Sequence, residues 1–120
     1  MHEFSICEGI VKAAQEELGR MNPRPKALRR ARVVVGRLHA IVPDNMEMAY
    51  EVLTRDTPIA GSKLELEFVP ITAKCRACGW EGGIEPPVFL CGSCLSGDIE
   101  VLTGRELYLS NLEVEQDGDE

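Results

Sequence analysis

The stretch KCRACGWEGGIEPPVFLCGSCLSGD, residues 74–98, constrains this chain more than any other part of it. It places Cys75, Cys78, Cys91 and Cys94 in two C-x-x-C pairs separated by 12 residues. Each pair presents two thiolates from one tight turn. Two such turns facing each other supply the tetrahedral sulfur set that Zn(II) prefers. The loop between them is a little shorter than the common zinc spacing, which two short hairpin turns accommodate. Two disulfides would instead require an oxidising compartment, and nothing in the chain marks secretion.

Structural zinc is therefore the expectation. Having few apolar residues, the module is expected to fold only when the metal binds. Because all four ligands are protein thiolates, the ion has no open position for catalysis. Iron fits the same four-sulfur geometry, so a rubredoxin-like electron carrier is an alternative. Such a carrier surrounds its iron with an aromatic core, and this segment offers only Trp80 and Phe89.

A chain of 120 residues that is 44% hydrophobic can bury one modest core, so one domain plus a small module is the ceiling. No run of about 18 apolar residues is present to span a bilayer. The opening MHEFSICEGIVKAAQEELGR carries acids where a signal peptide has a basic start and an apolar centre. A soluble cytoplasmic protein with no membrane partner is expected. The net charge is −7, yet seven of the 13 basic residues fall between Arg20 and Arg37. Two prolines interrupt that basic stretch, and no aromatic residue offers bases a stacking surface. It reads as solvated loop and strand face, with an acidic partner protein as the functional option and a nucleic-acid-binding zinc ribbon as the rival. The end, EVEQDGDE, reads as an acidic solvating tail.

Periodicity supplies the frame. Phe4, Cys7, Val11, Ala14 and Leu18, widened by Ile10, mark an amphipathic helix from residue 4 to about 19. ALRRARVVVG reads as a strand closed by Gly36. Met46, Ala49, Tyr50 and Leu53 form one face of a second helix, started by Pro43 and Asp44 and stopped by Pro58. KLELEFVPI alternates as a half-buried strand. In GRELYLSNLEVE the apolar phase changes from Leu107 and Leu109 to Leu112 and Val114, which suggests a bulge near Ser110 and Asn111. The expected fold is α+β, a three-stranded mixed sheet with two helices on one face and a small zinc-ribbon-like module inserted before the last strand. The expected domains are 1–71 with 102–115, a zinc module at 72–101, and a tail at 116–120.

Two features remain. Cys7 lies on the apolar face of the first helix, where a free thiol packs as a small hydrophobe, and no ligand role is assigned to it. At the chain start, MHE offers an amine, backbone nitrogens and the imidazole of His2, which can close adjoining chelate rings around one ion. Planar nitrogen coordination is diagnostic of Ni(II) or Cu(II). Such a site needs no folded cavity and depends on pH, because its ligands must shed protons.

MHEFSI opening a helix, VVVG followed by VPDNMEMAYE, the two C-x-x-C pairs, and TGRELYLSNLEVE after the second pair together resemble the HypA family of hydrogenase maturation nickel metallochaperones. The resemblance runs over essentially all of residues 1–115. It implies delivery of Ni(II) to the maturing large subunit of [NiFe] hydrogenase, in company with a partner GTPase. It places nickel on the Met1 amine, the His2 backbone and imidazole, and the Glu3 backbone nitrogen, with zinc on Cys75, Cys78, Cys91 and Cys94. The Glu3 carboxylate is also a candidate to orient His2 from behind. Asp44, at the start of the second helix, matches an acid that contributes to the nickel environment in some members. His39, in GRLHAIVP, is a candidate additional nitrogen ligand. A homodimer is left open. No activated nucleophile, acid/base pair or phosphate-cradling glycine loop is present, so no catalysis of its own is expected.

Overall fold

A computed structural model describes residues 2–116; Met1 and residues 117–120, with most of the expected acidic tail, lie outside the described residues. The elements run α1 (His2–Arg20), β1 (Ala27–Gly36), a 3-10 turn (Arg37–His39), α2 (Pro43–Thr54), β2 (Lys63–Val69), β3 (Thr72–Cys75), β4 (Glu81–Gly83), β5 (Ile99–Thr103) and β6 (Leu107–Glu115). Two three-stranded sheets form, in the orders β2-β1-β6 and β4-β3-β5. The first is a mixed sheet accompanied by two helices. The second forms around the expected insertion, β5 running two residues past its expected end at 101. Its short strands carry too few side chains to show a period in the sequence.

The chain divides into two compact units, one of residues 1–34, 41–67 and 108–120, the other of residues 35–40 and 68–107. The second is larger than the 72–101 module suggested by the cysteine spacing. Residues 35–40 join it because the Gly36 amide donates to the Glu106 carbonyl at 2.6 Å and the Leu38 amide to the Gly104 carbonyl at 3.0 Å. Leu38 also packs on a small core of Ile71, Ala73 and Ile84, together with Trp80, Ile99 and Val101. Backbone hydrogen bonds between segments far apart in the chain leave no compositional trace.

In the first unit, α1 buries Glu3, Cys7, Ile10, Val11 and Ala14. Phe4 and Leu18 stay at the half-buried margin of that stripe. α1 begins two residues earlier than its apolar pattern suggests, because Glu3 is buried through a hydrogen bond rather than through hydrophobicity. α2 buries Met46, Ala49, Tyr50 and Thr54. Leu53, expected on that face, is only half-buried; Thr54 is buried in its place, its hydroxyl donating to the Tyr50 carbonyl at 2.8 Å. Tyr50 in turn shares a 2.7 Å hydrogen bond with Ser62. In β6, Leu109, Leu112 and Val114 are half-buried with Ser110 and Asn111 exposed between them, so the change of phase is present.

The basic residues of β1 are engaged by neighbouring carboxylates. Arg32 meets Glu65 at 2.5 Å, Arg30 lies 3.4 Å from Glu65 and 3.7 Å from Glu113, and Arg29 lies 3.6 Å from Glu115. Each exposed pair adds little stability. Together they place carboxylates beside three of the basic residues of that stretch, Arg29, Arg30 and Arg32. Among the described residues no helix is long and apolar enough to cross a membrane.

Gly36 marks a close approach of two backbones. A Cβ there would lie 2.0 Å from the Gly104 carbonyl oxygen and 2.1 Å from its carbon. Neither atom belongs to a flexible side chain. Gly36→Ala is expected to cost about 3 kcal/mol or more through overpacking, read as a lowered urea midpoint of the metal-loaded protein.

Candidate metal centres

The four cysteines converge. Cys75 closes β3 and Cys78 sits in the turn that follows, while Cys91 and Cys94 lie on a second turn before β5. The first turn is held by the Cys75 amide donating to the Trp80 carbonyl at 2.7 Å and the Gly79 amide donating to the Cys75 carbonyl at 2.9 Å. The second repeats the last contact, with the Leu95 amide donating to the Cys91 carbonyl at 3.2 Å. Pairing of β3 with β5, Cys75 opposite Ile99, ties the turns together, as does the Arg76 amide donating to the Asp98 carbonyl at 2.9 Å. The indole of Trp80 lies against two glycines, close enough that a Cβ at Gly82 or Gly92 would sit 2.4 Å or 2.6 Å from its ring. One aromatic ring thus spans from β4 to the second cysteine turn. The small residues that admit it were the only trace of this in the sequence.

All four sulfur atoms lie within 4.8 Å of one another. Cys75 Sγ is 3.7 Å from Cys94 Sγ, and Cys78 Sγ is 3.5 Å from Cys91 Sγ. These separations far exceed a disulfide bond of about 2.05 Å. They match the tetrahedron edge of roughly 3.8 Å that follows from metal–sulfur bonds of about 2.3 Å. The donor set fits a four-coordinate thiophilic ion.

Burial pushes the Cys91 thiol up, but the Cys94 and Ser93 amides, each donating to its sulfur at 3.2 Å, and the neighbouring thiols outweigh this and bring it down to about 6. At Cys94 the Ser96 amide pulls downward, while Cys91, burial and Cys75 push the thiol up to about 12. The amides that lower the Cys91 thiol favour the thiolate form that a metal ligand requires. Cys7 is different. Burial alone raises it to about 11, and its Sγ lies 4.0 Å from the Met46 carbonyl oxygen, so it remains a protonated core thiol.

At the other end of the chain, His2 is exposed at the start of α1 and its Nδ1 lies 3.5 Å from Glu3 Oε1. The second carboxylate oxygen, Oε2, accepts the Val42 amide at 3.2 Å, although Glu3 is only 6% exposed. Its own backbone amide and that of Val42 hold the carboxyl below the usual carboxylate range against the effect of burial, with His2 and the terminal amine adding to the shift. Val42 is the N-cap residue of α2. One buried carboxylate therefore fixes the start of α1 to the start of α2, two residues before Asp44, which is exposed in the first turn. Val42 acts through its backbone, so no side-chain motif could have singled it out. His39 ends the 3-10 turn, in the second compact unit, where its Nε2 lies 3.0 Å from the Arg105 carbonyl oxygen. Met1 lies outside the described residues.

The chain matches, over residues 1–114, the family described as "Hydrogenase/urease nickel incorporation, metallochaperone, hypA". The chain belongs to the HypA family. Among its relatives, the hydrogenase maturation factor HypA of Desulfosudis oleivorans is 36% identical over 118 residues, covering 97% of this chain and 100% of the relative. That of a Nostoc species is 34% identical over 116 residues, with 97% of each chain covered. The solution structure of the Ni metallochaperone HypA from Helicobacter pylori shares the fold, with a TM-score of 0.64 at 17% identity over 96% of this chain and 98% of that one. This HypA family member therefore belongs with proteins of hydrogenase maturation, and its four-cysteine cluster is a metal-binding site. A family with that role interacts with the maturation machinery.

Proposed function

We propose that this HypA family member carries Ni(II) on its first three residues and delivers it to the large-subunit precursor of [NiFe] hydrogenase, working with a nickel-insertion GTPase in the cytoplasm. The ligands are the Met1 amine, the His2 amide and imidazole, and the Glu3 amide. The site belongs to a helix start, whose amides have no carbonyl within the helix to bond. Giving up two amide protons to the metal thus leaves the helix ladder intact. Two amidates also neutralise the charge of Ni(II), so the positive end of the helix does not repel the complex.

The observation that carries the reading is the Glu3 carboxylate, buried and bonded to the Val42 amide while its other oxygen faces His2 Nδ1. Nδ1 is the nitrogen that closes a six-membered chelate ring with the His2 amide, so the carboxylate holds the imidazole at the helix start and would give up that nitrogen to the ion. Asp44 is the minority ligand on this reading, and His39 a further one. Cys75, Cys78, Cys91 and Cys94 hold Zn(II), which is structural and closed to substrate. The protein catalyses no reaction itself; nucleotide hydrolysis belongs to the partner.

The test is a nickel titration of the protein with an unblocked amino terminus beside a variant carrying two residues before Met1. The native chain is expected to take one equivalent of Ni(II) with the absorption of a planar nitrogen-rich complex, and the extended chain to lose it. Equal planar binding by both would remove the site. Metal analysis of the purified protein, returning zinc rather than iron, separates this reading from an electron carrier.

A further inference from the structure

Between Arg20 and Arg37 most basic side chains meet a carboxylate: Arg20 meets Glu17, Arg29 meets Glu115, Arg30 and Arg32 meet Glu65, and Arg37 meets Glu85. Among the described residues, Arg24 and Lys26 meet none. Both are exposed, and both line one cleft of about 190 Å³, walled by Leu18 and Gly19 of α1 and by Pro58 and Ile59. The Arg24 guanidinium reaches across to α1, 3.8 Å from the Cβ position at Gly19. The cleft thus has apolar walls and two cations without a counter-charge.

Strand β6 leads toward it. The Ser110 hydroxyl donates to the Arg32 carbonyl at 3.2 Å, Glu113 lies 3.7 Å from Arg30, and the Glu115 carbonyl accepts the Lys26 amide at 2.7 Å. Positions rise along β6 as they fall along β1, so the two strands are antiparallel. Beyond Glu115 the chain is directed past Lys26 toward Arg24. The residues that follow Gln116 are DGDE, three acids and no base.

We infer that residues 117–120 occupy this cleft and pair their carboxylates with Arg24 and Lys26. Two more steps of the β1–β6 ladder bring position 117 level with Arg24. Four extended residues reach about 13 Å, and no long connection has to close. Each exposed ion pair is weak alone, but so short a tether gives the segment a millimolar effective concentration at the cleft. Once filled, the cleft is closed to acidic segments of other proteins, and residues 117–120 act as a built-in competitor for that surface. None of these residues belongs to either metal centre.

The test is amide NMR of the full chain, its four-cysteine site loaded, in four forms. They are the native chain, a segment variant (Asp117→Asn, Asp119→Asn, Glu120→Gln), a cleft variant (Arg24→Gln, Lys26→Gln) and the combination. The segment variant is expected to displace the signals of Leu18, Gly19 and Ile59, which lie far from residues 117–120 in the chain. Salt at about 1 M, where the Debye length is about 3 Å, should produce the same displacement in the native chain. Adding the segment changes to the cleft variant should move nothing. The acetylated and amidated peptide EQDGDE, residues 115–120, is expected to bind the segment variant at least tenfold more tightly than the native chain. Signals of Leu18, Gly19 and Ile59 that stay in place in the segment variant overturn the contact. So does a displacement that persists in the cleft variant, or one that depends on protein concentration and so marks occupation by a second copy. Equal peptide binding by both chains overturns the competitor role.

Discussion

Removing the metal from the four-cysteine site, by chelation or by Cys75→Ser, is expected to unfold residues 68–107 while α1, α2 and the β2-β1-β6 sheet remain folded. The second unit has only a small apolar core, Ile71, Ala73 and Ile84 with the half-buried Trp80, Ile99 and Val101 around it. Its β4 strand is three residues long. Zinc binding in comparable small modules is worth about 10–16 kcal/mol, more than a core of that size supplies. The first unit keeps its own larger core of Cys7, Ile10, Val11, Leu28, Val33, Met46 and Tyr50. Two-dimensional amide NMR reads both halves at once. Collapse of the dispersed signals of β3, β4 and β5, with those of α1 and α2 retained, is the expected pattern, and emission from Trp80, the lone tryptophan, should shift to that of a solvated indole. Retained dispersion in the metal-free chain would show that the unit folds without its ion.

His2→Ala is expected to lower nickel affinity by more than about 100-fold, the upper end of what loss of a mere supporting group costs. It removes the imidazole and one chelate ring at once. Glu3→Gln keeps the backbone nitrogen but not the charge beside His2 and the Val42 amide, and a loss of roughly tenfold is expected. The order of the two variants separates ligand from support, and isothermal titration with the four-cysteine site loaded in every sample measures it. Affinity should fall as pH falls for all forms, because each nitrogen must shed its proton before it binds. Equal affinities for the native chain and His2→Ala would place nickel elsewhere.

How much of this was legible in advance differs between the two sites. The cysteine centre depends on two local turns, and a C-x-x-C spacing encodes a turn directly. The existence and order of α1, β1 and α2 were likewise legible, since apolar side chains repeat at the period of the element, whereas the start of α1 and the end of α2 were not. The β4-β3-β5 sheet was not, because Glu81–Gly83 and Thr72–Cys75 are too short to display a period and are held chiefly by partners distant in the chain. Nor was the extent of the second unit, which recruits Leu38 through the Gly104 carbonyl.

The amino terminus shows the division most clearly. Residue order alone determined that the His2 imidazole and the backbone nitrogens of His2 and Glu3 stand side by side, because neighbours along a chain cannot be separated. It also determined that four thiols come as two turn-borne pairs. Only the tertiary structure decided that Glu3 is buried, that its carboxylate meets the Val42 amide 39 residues away, and that its free oxygen faces His2. A charge is tolerated in that place only when another segment supplies the donor. Pairings of that kind arise when the two helices pack, and no local stretch of sequence contains them.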